Sequence, residues 1–75
     1  MDTFTKVRLT KLLADYKKNH GRDISARELD ESGFEQAVIK EAVREKLIVK
    51  YQVTAGTGAT ENRYKLLKDW KSINS

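Results

Sequence analysis

The chain has no cysteine and no proline, and only one histidine and four glycines among its 75 residues. Without cysteine there is no disulfide and no thiolate metal site. His20 alone cannot build a zinc site without several helpers. No apolar run approaches the ~20 residues needed to cross a bilayer. The opening MDTFTKVRLT also lacks the apolar stretch of a signal peptide. These absences lead to the expectation of a soluble, cytoplasmic protein with no membrane partner, no metal and no cofactor. A chain this short makes one small domain, residues 1–75, with a core of modest size.

What is present is charge, unevenly placed. The net charge is +4. Residues 1–22 hold six cations against Asp2 and Asp15, and residues 48–75 hold five against Glu61 and Asp69. Between them, residues 23–47 hold Arg27, Lys40, Arg44 and Lys46 against seven acids. A basic balance favours polyanionic partners, and the acidic middle opposes them.

Hydrophobic spacing gives the elements. Leu9, Leu12, Leu13 and Tyr16 form the i, i+3, i+4, i+7 stripe of a one-sided helix over residues 1–19, with Phe4 and Val7 as further apolar positions. Asp2 or Thr3 caps it, and Gly21 ends it. Ser25 and Glu28 have the spacing of a capping box, with Ile24 and Leu29 as the hydrophobic staple, so a short second helix covers about 26–31. Ser32 and Glu35 repeat the capping spacing after the break at Ser32-Gly33, which predicts a third helix to about Lys46. Its inward face is Val38, Ile39, Ala42 and Val43, with Phe34 near the turn. Its outward face is Gln36, Ala37, Lys40, Glu41 and Arg44.

From residue 49 the period becomes two. Val49, Tyr51 and Val53 alternate with polar residues, and RYKLL alternates again after AGTGATEN. This predicts a β-hairpin over 48–67 with a long, flexible tip and a Tyr51–Tyr64 cross-strand pair. The tail, 68–75, is expected to add a short helix in which Trp70 and Ile73 pack together.

Helix, helix, turn, helix and hairpin, with GFEQAVIKEAV at the turn and third helix, resemble the winged helix-turn-helix superfamily over residues 4–67. Gly33, Phe34, Ile39, Ala42 and Val43 take the places of the turn glycine and core positions. Where such regulators commonly carry a glycine before the hairpin, this chain has EKLI. The resemblance implies an α+β fold: a small winged helix, three helices packed with a C-terminal β-hairpin wing. Residues 25–47 become the helix-turn-helix, and the piece around Ile24 becomes the first strand of the sheet.

It further implies a double-stranded DNA partner and a role in transcription control, replication or mobile-element housekeeping. On that reading Gln36, Ala37, Lys40 and Arg44 face the major groove, with Gln36 suited to an adenine edge and Lys40 and Arg44 to guanine or phosphates. Lys50, Arg63 and Lys65 serve the wing, and Arg27 joins the DNA-contacting set. One such domain makes few contacts, so a homodimer or larger assembly is implied. The acids leave a second reading open, a protein-interaction module whose acidic helices dock on a basic partner; RNA binding through the wing is a third. Glu28 and Glu35 are expected as helix caps, each worth ~0.3–1 kcal/mol near a helix N-terminus, and Glu41 and Glu45 as partners of Lys40 and Arg44. Asp30 and Glu31 receive no structural duty. Nothing in the chain has the spacing of a catalytic set or a phosphate-cradling loop, so an enzyme is not expected.

Overall fold

The computed structural model describes residues 2–68. The expected tail helix with Trp70 and Ile73 lies outside the described residues. The chain runs α1 (Thr3–His20), β1 (Ile24–Ser25), α2 (Ala26–Glu31), α3 (Gln36–Arg44), β2 (Ile48–Thr54) and β3 (Thr60–Leu66). The strands form one antiparallel sheet in the order β1-β3-β2. This is the α+β class expected, with three helices and a three-stranded sheet. Among the described residues no helix is long and apolar enough to cross a membrane.

Each helix end has a local cause. The Asp2 carboxylate accepts from the Thr5 N–H at 2.7 Å and starts α1. Gly21, at φ 70°, closes it by donating to the Lys17 carbonyl. The capping box of α2 forms as the spacing predicts, with both the Ser25 and Glu28 side chains engaged. The staple residues Ile24 and Leu29 are both buried. The second capping box does not form. The Ser32 hydroxyl instead donates back to the Leu29 carbonyl, so Ser32 closes α2. Gly33 turns the chain at φ 96°, and α3 starts after Glu35 with no side-chain cap.

The third helix ends at Arg44 rather than Lys46, and the reason is a Schellman motif. Lys46 takes the left-handed conformation at φ 61°. Its N–H donates to the Val43 carbonyl at 3.1 Å, and the Leu47 N–H to the Ala42 carbonyl at 3.0 Å. Lysine thus occupies the position that glycine usually holds, where a Cβ carries a steric cost.

The core gathers where the elements cross. Leu9 and Leu13 of α1, Ile24, Leu29, Ile39, Ala42, Leu47, Ile48 and Tyr64 are buried together. Fully burying a Leu or Ile side chain contributes roughly 1.5–3 kcal/mol. Leu12, Tyr16, Phe34, Val38 and Val43 pack against this cluster half-buried, so the helix faces read from spacing are those that turn inward. Phe4 does not: it is 69% exposed, with the Arg8 guanidinium 5.7 Å from its ring.

Around the core, Glu28 ties three segments together. Arg22 Nη1 donates to its carboxylate at 2.9 Å and Nη2 at 3.2 Å, the Tyr16 hydroxyl donates to it, and so do the Ser25 N–H and hydroxyl. His20 stacks on Tyr16 with ring centroids 4.1 Å apart, at the end of α1 where the helix dipole favours it. Across the molecule, Lys6 Nζ donates to Glu45 at 3.0 Å and joins α1 to the end of α3. Glu45 therefore pairs with α1 and not along its own helix.

The hairpin tip is short, not long. Gly58 donates to the Ala55 carbonyl at 2.9 Å, and the Ala55 N–H donates to Ala59 at 2.8 Å. With Gly58 at φ 87°, this is a three-residue loop of a type I turn followed by a left-handed glycine. It fixes the register: Lys50 lies opposite Tyr64 and Tyr51 opposite Arg63. The two tyrosines therefore sit on opposite faces and do not pair. Both Leu67 and Lys68 N–H groups donate to the Leu47 carbonyl, at 2.8 and 3.2 Å, clasping the hairpin base to the end of the Schellman turn.

Two measurements follow from these features. Lys46→Gly removes a Cβ from a left-handed position and is expected to raise stability by about 0.5–1 kcal/mol in urea unfolding. The Arg22, Tyr16 and Ser25 hydrogen bonds, Arg22's foremost, hold the Glu28 carboxyl well below its ordinary 4.5. A depressed folded-state pKa gives stability that is present above the unfolded value and lost as pH falls below it. Glu28→Gln should therefore cost about 1–2 kcal/mol at pH 7, and the gap to the parent should narrow steadily as unfolding is measured from pH 5 down to pH 2.

Candidate nucleic-acid interface

The outward row of α3 is outward in the structure. Gln36, Ala37, Lys40 and Arg44 are all exposed, while Ile39 and Ala42 beneath them are buried. The 3.6-residue period does this: the apolar set at 38, 39, 42 and 43 claims one side and leaves the other to solvent.

One groove lies between this helix and the sheet. It has a volume of about 190 Å³ and is lined by Gln36, Ile39, Lys40 and Val43 of α3 with Lys50 of β2 and Tyr64 of β3. Lys50 reaches it because residues directly opposite in an antiparallel pair share a face. Tyr64 faces the helices, so its partner Lys50 does too. The apolar floor is Ile39, Val43 and the Tyr64 ring, and the rim carries two ammonium groups and an amide. Burial pushes the Tyr64 hydroxyl up, and the charge of Asp30 adds to it; Asp30 accepts from the side-chain amide of Gln36, a lining residue of the groove.

The other predicted contacts are elsewhere. Arg63 and Lys65 lie opposite Tyr51 and Val49 on the other face of the sheet, away from α3. Arg63 Nε is 2.9 Å from Glu61. It shares a hollow of about 530 Å³ with Arg27, Val53 and Thr60 along the hairpin. Arg27 is itself paired with Glu31 at 3.3 Å. Lys65 borders a separate hollow with Lys17, Asp23 and Tyr51. Arg44 stands beyond the groove, 3.9 Å from Glu41 on its own helix. The three wing cations thus divide between two faces, and none sits at the tip, 55–59.

The charges separate into committed and uncommitted groups. Arg27, Arg44 and Arg63 have acidic neighbours, whereas no acid lies within ion-pair distance of Lys40, Lys50 or Lys65 among the described residues. Most acids of the central stretch have partners inside the molecule: Glu28 with Arg22, Glu31 with Arg27, Glu45 with Lys6. Asp30 accepts a hydrogen bond from the Gln36 side-chain amide.

Spacing alone missed Tyr64 and Asp30 as groove residues. Tyr64 follows from the register, and the register follows from the three-residue tip that Gly58 permits. Asp30 lies six residues before Gln36 across a turn, a distance no helical period describes. Compared with family models, curated proteins and solved structures, the chain matches none.

Asp23 holds the opposite face of the sheet by accepting from the Tyr51 hydroxyl, which raises the phenol above its ordinary value. Tyr51→Phe is expected to lower stability by about 1 kcal/mol in chemical unfolding while leaving the α3 groove's chemical shifts unchanged.

Proposed function

We propose that the domain binds double-stranded DNA as a winged helix-turn-helix, with α3 in the major groove and the β2–β3 hairpin as the wing. The observation that carries this reading is the groove beside α3, where Lys40 and Lys50 stand without acidic partners and share the lining with Gln36. Two uncommitted ammonium groups on a ridge and its adjoining strand suit phosphates, and the amide in the same groove suits a base edge. The element order, with β1 placed beside β3 and a turn of residues 32–35 between α2 and α3, supports the winged-helix reading.

The distribution of acids favours DNA over a basic protein partner. Glu28, Glu31 and Glu45 are each satisfied within the molecule, so the negative charge of the central stretch is largely neutralised where it stands. The exposed Arg27–Glu31 pair contributes little to stability. The pairs offset those three carboxylates locally, while Asp30 beside Gln36 and Glu41 on α3 stay near the ridge. Arg27, Arg44 and Arg63 are secondary contacts, each of which must exchange an acid for a phosphate. Lys65, on the far face of the sheet, reaches DNA only where the duplex wraps the hairpin. With so few free cations, one domain binds weakly, and a second copy or a larger assembly supplies the remaining contacts.

Fluorescence anisotropy with a labelled random duplex of about 20 base pairs (a length that spans two helical turns) tests the reading. The logarithm of affinity should fall linearly with the logarithm of salt concentration, and Lys40→Gln and Lys50→Gln should each reduce the slope by about 0.9. No binding at low salt, or a slope that neither substitution changes, overturns it.

A further inference from the structure

We infer that Asp30 is a specificity-determining positioning residue: it fixes the side-chain amide of Gln36 in the orientation that reads adenine. This rests on the DNA-binding reading above and gives a role to a carboxylate that otherwise opposes it.

The chemistry begins with the donors and acceptors of a glutamine amide. It carries one carbonyl oxygen, which accepts, and one NH₂ group, which donates twice. Gln36 Nε2 donates one of its hydrogens to Asp30 Oδ1. A carboxylate can only accept, so this bond selects the nitrogen and excludes the flipped amide. What remains for a ligand is one N–H and the Oε1 carbonyl. Adenine in the major groove offers the complement, a donor at N6 and an acceptor at N7. Guanine offers two acceptors, which require both N–H groups, and one of these is already engaged.

The placement is suited to that task. Gln36 is the first residue of α3, where side chains of an inserted helix reach base edges. Asp30 belongs to α2, a separate element, so the amide is held from outside its own helix. The floor beneath is the buried Ile39, and Lys40 and Lys50 stand on the same rim. A phosphate approaching Gln36 is repelled by Asp30, whereas the exocyclic amino group of adenine is not. The carboxylate therefore lowers non-specific affinity while it sharpens base choice, a repulsive element that contributes to specificity.

The test compares two neutral replacements. Preferred duplexes are selected from a random pool with the unaltered chain, and the position that Gln36 reads is the one whose adenine preference Gln36→Ala erases. Both Asp30→Ala and Asp30→Asn remove the charge, and both should raise affinity for random duplex equally. Ala removes the acceptor, and Asn adds a donor that admits the flipped amide, so neither selects the nitrogen of Gln36. Both should therefore reduce the preference for adenine over guanine at that position, by about fivefold or more in Asp30→Ala, the lower end of what a bidentate pair supplies, while base preference at the other positions of the site is unchanged. If Asp30→Ala is not folded by circular dichroism, Asp30→Ser takes its place, too short to reach Gln36. Full adenine preference in either variant, a loss spread over every position of the site, or no position erased by Gln36→Ala overturns the inference and leaves DNA binding standing. Absence of binding to any duplex at low salt removes both readings together.

Discussion

The Glu28 carboxylate is the interaction on which the other placements depend. It caps the helix that contains it, receives both terminal nitrogens of Arg22, and accepts from Tyr16 near the end of α1. Three consecutive segments of a small chain thereby meet at one charged group, and a network of this kind is worth more than its separate bonds. Its position sets where α2 begins. Because α2 is only six residues long, that start also sets where Asp30 stands and how α3 leaves the turn.

Much of this was legible in the chain. The Ser25–Glu28 spacing and the Ile24–Leu29 staple describe one compact event, local in sequence, and local events are readable because few residues decide them. The stripe of α1 and both faces of α3 were readable for the same reason. The hairpin was recognised, but its register was not, since reading GTG as a flexible tip overlooks that a left-handed Gly58 permits a three-residue loop. Register then decides every cross-strand neighbour, so Tyr51 and Tyr64 parted and Lys50 joined α3. Ser32 misled because its hydroxyl has two competing uses, capping the next helix or closing the previous one, and only the turn geometry chooses between them.

The acids and cations of the chain are best understood as two populations. Arg22, Arg27 and Arg63 meet acids at close range, as their planar, multi-donor head groups favour, and so does Lys6, while Lys40, Lys50 and Lys65 stay in water. A lysine head group is strongly hydrated and compact, so leaving it unpaired on the surface costs little and keeps it available. The same net charge distributed differently, with lysines paired and arginines free, would present another surface on the same fold. The value of +4 says nothing of this; the pairing pattern does.

The clasp at Leu47 has a mechanical meaning. That single residue accepts from Leu67 and Lys68 at the foot of the hairpin and donates to Ala42 within the last turn of α3. Helix and hairpin are consequently fastened at a common rivet, and the backbone of α3 and that of β2 keep one relative placement once the chain folds. The backbone on the two sides of the groove therefore has little conformational freedom left to surrender on contact.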